Sequence, residues 1–141
     1  MAAAVSSLLA NIPNGELVGF SSLAEGADQL FAFSLLAAGG ELNAVIPSTD
    51  YEASFQSSAV RRTYVSLLGL AAKKETLPFT GPSEDAYLAA GKRVVERSNL
   101  LVAVWDGAEA AGKGGTADVV AFARGRGVDV HILWPPGATR A

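Results

Sequence analysis

A chain of 141 residues, half of them hydrophobic and 18% charged, is long enough for one domain with a buried core. It has no cysteine, which excludes a disulfide framework, a thiolate zinc site and a thiol nucleophile, and no apolar run approaches the ~20 residues of a membrane span. A net charge of −3, with no Lys/Arg run beyond two residues, argues against an electrostatic nucleic-acid surface, and MAAAVSSLLANIP lacks the basic stretch of a signal peptide, so a cytoplasmic protein is expected.

In chain order, Ala2 to Asn11 reads as a helix stopped by Pro13 and Gly15. Leu17 to Phe20 is a short buried strand. Ser21-Ser22 offers an N-cap for a helix from about Leu23 to Ala38, with Ala27, Leu30, Phe31, Ser34 and Leu35 on one face and Gly39-Gly40 at its end. Leu42 to Ile46 is a strand stopped by Pro47. Tyr51 to Lys74 reads as helix in two pieces, with Tyr64, Leu67, Leu68 and Ala71 inward and Arg61, Arg62, Lys73 and Lys74 outward. Thr76 to Phe79 is a weak strand.

Ser83 caps a helix to Ser98 whose Tyr87, Ala90, Gly91, Val94, Val95 and Ser98 follow the helical period. Leu100 to Val104 has the length and branching of a strand buried on both faces. It runs through Trp105, Asp106 and Gly107 into a Gly/Ala-rich loop, then a helix from Gly115 to Arg124. Val128 to Trp134 is a last strand, closed by Pro135-Pro136. Strands alternating with helices, with no hairpin signal, predict a single α/β domain: a three-layer, Rossmann-like parallel sheet with helices on both faces.

In such sheets ligands sit where a strand turns into a helix, because the first N–H groups of the helix are unpaired and its dipole favours anions. Gly112-Lys113-Gly114-Gly115-Thr116 could cradle a phosphate; an ordinary glycine-rich connection is the plain alternative, and neither a Walker A loop nor GxGxxG is present. Ser21, Ser22, Glu25, Gly26 and Asp28 follow another strand at the equivalent place. Their carboxylates either answer the helix dipole or hydrogen-bond ribose hydroxyls and activate water at an anomeric carbon, and Asp118 has the same two readings. Asp106 ends a buried strand at the crevice and is assigned to the site. Tyr51, Phe55 and Trp105 could stack a base, but aromatics near strand ends belong more often to the core. His131, the only histidine, is expected packed and neutral within the last strand. Asp106, Glu109 and Asp118 match no recognised metal loop, and neither metal nor cofactor is expected.

Ser21-Ser22-Leu23-Ala24-Glu25-Gly26-Ala27-Asp28, Val45-Ile46-Pro47, Asp106-Gly107 and Gly114-Gly115-Thr116-Ala117-Asp118 together resemble the SLOG superfamily of Rossmann-like nucleotide-binding domains. That superfamily includes the LOG nucleotide phosphoribohydrolases and DprA-type proteins and is similar to molybdenum-cofactor carriers. The similarity runs from Leu17 onward. It implies a nucleotide or ADP-ribose-type ligand, with phosphate on the Gly114 to Thr116 turn and ribose near Glu25 and Asp28. The LOG enzymes carry a longer glycine-rich motif and a catalytic arginine that this chain does not match, which weighs toward a sensor or carrier. An N-glycosidase or nucleoside deoxyribosyltransferase-like enzyme using Glu25 or Asp118 is the alternative, and an interaction module with a vestigial crevice a third.

Domains that this chain resembles open with a central strand, whereas this chain opens on a helix. The expectation is a natural start upstream; a rearranged sheet, or a strand supplied by a partner chain, would also account for it. The apolar outer helix faces lead to an expected homodimer.

Overall fold

The computed structural model describes residues 2–13, 16–104 and 115–133. Five helices and five strands alternate among them: α1 (Ala2–Ala10), β1 (Val18–Ser21), α2 (Ala27–Ala37), β2 (Glu41–Ile46), a 3-10 turn (Tyr51–Ser54), α3 (Ser58–Leu70), β3 (Lys73–Thr76), α4 (Glu84–Glu96), β4 (Leu100–Val104), α5 (Thr116–Gly125) and β5 (Asp129–Leu133). All strand pairs are parallel, as the alternation predicts, but they form two sheets, β1-β2-β3 and β4-β5.

Side-chain alternation on β2 sorts the helices into two layers. Leu42, Ala44 and Ile46 belong to the main core with α1, α2 and α3, while Val45, on the opposite face, packs with Ala90 of α4. A further core joins Val95 of α4, Leu101 and Ala103 of β4, and Val120 and Ala123 of α5. No helix among the described residues is long and apolar enough to cross a membrane.

Several boundaries differ from the sequence expectation, each for a local reason. Helix α2 starts at Ala27 rather than Leu23, because Leu23 adopts φ +57 and Gly26 φ +92, neither of which a helix can contain. Ser21 therefore does not cap α2; its hydroxyl accepts the Leu23 N–H at 3.0 Å and ties the turn. The buried residues of α2 are Gln29, Ala32 and Leu35, so Ala27 and Ser34 are not core positions. Lys73 and Lys74 lie on β3, three residues ahead of the predicted strand, and α3 stops at Leu70 as Ala71 turns extended. Pairing with β2 at Asn43↔Lys73 and Ala44↔Lys74 outweighs the helix propensity of that stretch.

Ser83 caps α4 as predicted, accepting the N–H of Ala86, and Ser57 caps α3 in the same way, accepting the N–H of Val60. Within α4, however, Tyr87 is exposed rather than inward. His131 is exposed too, because β5 pairs with β4 alone among the described strands. Only Leu101 and Ala103 of β4 are buried, so the expectation of burial on both faces fails at Leu100, Val102 and Val104. That failure reflects an open space beside the strand.

Candidate functional site

The open space is a cavity of about 1690 Å³ between β1 and β4. At one end it is lined by Ser21, Ser22, Glu25 and Asp28 from the β1–α2 turn together with Gly115 and Thr116 at the start of α5. Residues some 90 positions apart in sequence thus line one cavity, as both segments follow a parallel strand into a helix. Gly26 is exposed and is not among the lining residues, and Asp118 lies half-buried in the first turn of α5, likewise outside the lining. Asp106, Gly107 and Gly114 fall outside the described residues, as do Trp105, Glu109, Gly112 and Lys113.

The β1–α2 turn is held by a compact hydrogen-bond net. The Gln29 side chain donates to the carbonyls of Leu23 and Val60 at 3.2 and 3.4 Å, anchoring the turn to α3. Asp28 accepts the Ala24 N–H at 3.3 Å and is also hydrogen-bonded by the Ser22 backbone and the Ser21 hydroxyl. Part of its surface stays open to the cavity while the carboxyl itself is surrounded by protein. Loss of hydration therefore holds its pKa above the ordinary 3.8, the three hydrogen bonds offsetting only part of the shift.

Leu23 is fully buried yet left-handed, the only non-glycine residue with positive φ among those described. A bulky side chain there costs roughly 1–2 kcal/mol. Backbone strain of this kind persists where the surroundings over-determine it, as the Gln29 and Ser21 bonds do here. Neither α2 nor α5 has a side-chain cap: Gly26 and Gly115 stand at their N-cap positions. Both helices therefore begin without a side-chain acceptor at the N-cap position.

Tyr51 and Phe55 also border the cavity, but both are buried in an aromatic cluster in which Tyr51 meets Phe55 and Tyr64 edge-on, so they are core residues. Burial first, then the nearby Asp28 charge, raises the Tyr51 pKa above its usual 10, while burial and then Glu52 push Tyr64 up to about 12. Arg93 pairs with Glu75 and Glu96. Arg97 borders the cavity and bonds Glu75 at 3.4 Å. Sequence reasoning missed Tyr87, Leu30 and Phe31 as cavity residues; their helical periodicity read as core, and only the open space distinguishes them.

No protein-family model and no curated protein matches the chain. Among solved structures, DNA processing protein A (DprA) from Streptococcus pneumoniae matches with a TM-score of 0.67 at 24% identity. The match covers 97% of this chain but 46% of that one, so the chain spans about half the length of its structural relative. The parallel strands with helices on both faces are thus the DprA-type, Rossmann-like fold that the resemblance to the SLOG superfamily implied.

Proposed function

We propose that the end of the cavity between the β1–α2 turn and the start of α5 binds a nucleotide or ADP-ribose-type ligand, and that the protein acts as a sensor or carrier of it. The observation that carries this reading is Asp28: a desolvated carboxyl beside a strained turn, open to a cleft that Gly115 and Thr116 border from the other side. A carboxyl perturbed by desolvation within a cleft is a candidate functional group. In this reading the uncapped start of α5 receives phosphate, Thr116 donates its hydroxyl, and Asp28 with Glu25 hydrogen-bonds ribose hydroxyls. The outcome for the enzyme alternative is read in the same experiment.

That experiment is a proton NMR time course of the chain with AMP, NAD, ADP-ribose and a deoxynucleoside monophosphate. Selective line broadening without new signals is expected. Gly115→Val should weaken binding by at least about tenfold, or ~1.4 kcal/mol, since φ −73 at Gly115 admits valine and its side chain would stand where phosphate approaches the helix start. Unchanged affinity would show the phosphate position to be wrong. New free-base and ribose signals, lost in Glu25→Ala, would replace the sensor with a glycosidase, and silence with every ligand would reject nucleotide binding.

A further inference from the structure

Phosphate and ribose are only part of a nucleotide; its base is a flat π-system that stacks on an aromatic face. Among the described residues, the aromatic side chains that line the cavity are Phe20, Phe31, Tyr51, Phe55 and Tyr87. Four of these are occupied by the protein itself. Tyr51 and Phe55 are buried in the cluster with Tyr64, while Phe20 and Phe31 are partly buried and packed against the cores on the two faces of β2. Tyr87 differs: it borders the same cavity and is 41% exposed.

The position of Tyr87 follows from the helix that carries it. Ser83 accepts the Ala86 N–H and α4 begins at Glu84, which puts Tyr87 in the first turn. Gly91 and Val94, four and seven residues on, also line the cavity, so all three belong to one stripe of the helix. Gly91 packs closely against Val119 of α5, and Val119 lines the cavity with Gly115 and Thr116 about one turn ahead of it. Tyr87 precedes Gly91 by the same interval. On the other side, the Tyr51 hydroxyl is pushed up by burial first, then by Asp28, then by Tyr87, so Tyr51 lies within electrostatic reach of both.

We propose that Tyr87 is the base-stacking residue of this site, and that its ligand is recognised as a nucleotide with its base rather than as a sugar phosphate. The assignment rests on the nucleotide reading above and adds the third part of the ligand to it. A tyrosine on a capped helix turn offers a large ring at the cost of ordering two side-chain torsions. Stacking removes its open face from water and needs no hydrogen bond to a particular base edge. Selectivity among bases is therefore weak, and selectivity for a base over none is strong.

Calorimetric titration of AMP and of ribose 5-phosphate, which carries the same sugar and phosphate without the base, tests this. AMP is expected to bind at least about tenfold more tightly. Tyr87→Ala should remove most of that advantage and leave ribose 5-phosphate affinity unchanged, whereas Tyr87→Phe should keep the advantage. In proton NMR the Tyr87 ring signals, identified by their absence from Tyr87→Phe, should move upfield with AMP and stay in place with ribose 5-phosphate. An AMP advantage that survives Tyr87→Ala would overturn the base contact and leave the nucleotide site standing, as would equal affinities for the two ligands in the unaltered chain. Loss of both ligands in Tyr87→Ala would make Tyr87 a support of the fold and overturn its stacking role. Failure of the unaltered chain to bind either ligand would reject the nucleotide reading and the base contact together.

Discussion

Asp28 links the turn geometry to a pH dependence whose sign can be worked out. Its folded-state pKa is raised, so folding favours the protonated carboxyl. That contribution is fully present below the ordinary value of 3.8 and is lost as pH rises through the folded-state value. Asp28→Asn, which retains the shape without the charge, is therefore expected to raise Tm at pH 7 and to lose that advantage below pH 3.8. Thermal denaturation of both proteins across pH 3 to 8 measures it; a Tm lower than wild type at neutral pH would show that the hydrogen bonds outweigh desolvation. Leu23 supplies a second test five residues earlier. Leu23→Ala loses a fully buried side chain, roughly 2–5 kcal/mol, and keeps the left-handed strain. Leu23→Gly loses the same contacts but relieves the strain, so it should be more stable than the alanine variant by about 1 kcal/mol. Glycine is ordinarily the less stable of the two, and urea titration of the pair reads the inversion directly.

At the scale of elements, the packing of α4 on α5 depends on one missing side chain. A Cβ on Gly91 would lie 2.5 Å from the Cγ2 of Val119, closer than atoms approach without displacement. Gly91→Ala is expected to cost ~1–3 kcal/mol by overpacking, and Val119→Ala in the same chain to recover much of it. Additive losses in the double variant would show that the helices adjust elsewhere. The strand-to-helix turns follow a different logic. Ser83 caps α4 as its sequence position predicts, whereas Ser21, at an equally suggestive position, does not cap α2. The difference lies in Leu23 and Gly26, whose left-handed conformations insert a turn before the helix. A serine before an apolar run signals a helix start; whether the chain turns first is set by neighbours such as Gln29.

Across the whole molecule the apolar interior is divided. The larger core joins α1, α2 and α3 to β2, a smaller one holds α4, β4 and α5, a third joins Val45 and Leu77 to Ala90 of α4, and the open space lies between β1 and β4. Regions with fewer buried contacts open at lower free energy than the global transition. Native-state hydrogen exchange is therefore expected to show β2 amides opening only with global unfolding and β4 and β5 amides opening earlier, in one subglobal step. Equal opening free energies in the two sheets would mean that they unfold as one unit.

Element type and order were legible in the residues because they depend on local chemistry: helical spacing around Ala90 and Val95, serines before helices, and β-branched runs stopped by Pro or Gly. The predicted α/β alternation, the parallel pairing and the cap at Ser83 all follow from that. That Ser22, Asp28 and Thr116 line one cavity accords with the rule that parallel strands place their turns on one edge. Other features required the fold itself. Lys73 and Lys74 became a strand because β2 offered an unpaired edge, which propensity does not register. Tyr87 and the alternate residues of β4 lost their expected burial because burial depends on what stands opposite, and opposite them is a cavity. The pKa of Asp28 and the strain at Leu23 likewise come from neighbours brought in from α2 and α3. Local pattern determines what each segment becomes; only the assembled chain decides which surfaces are covered, and among the described residues β1 and β4 each keep one edge unpaired.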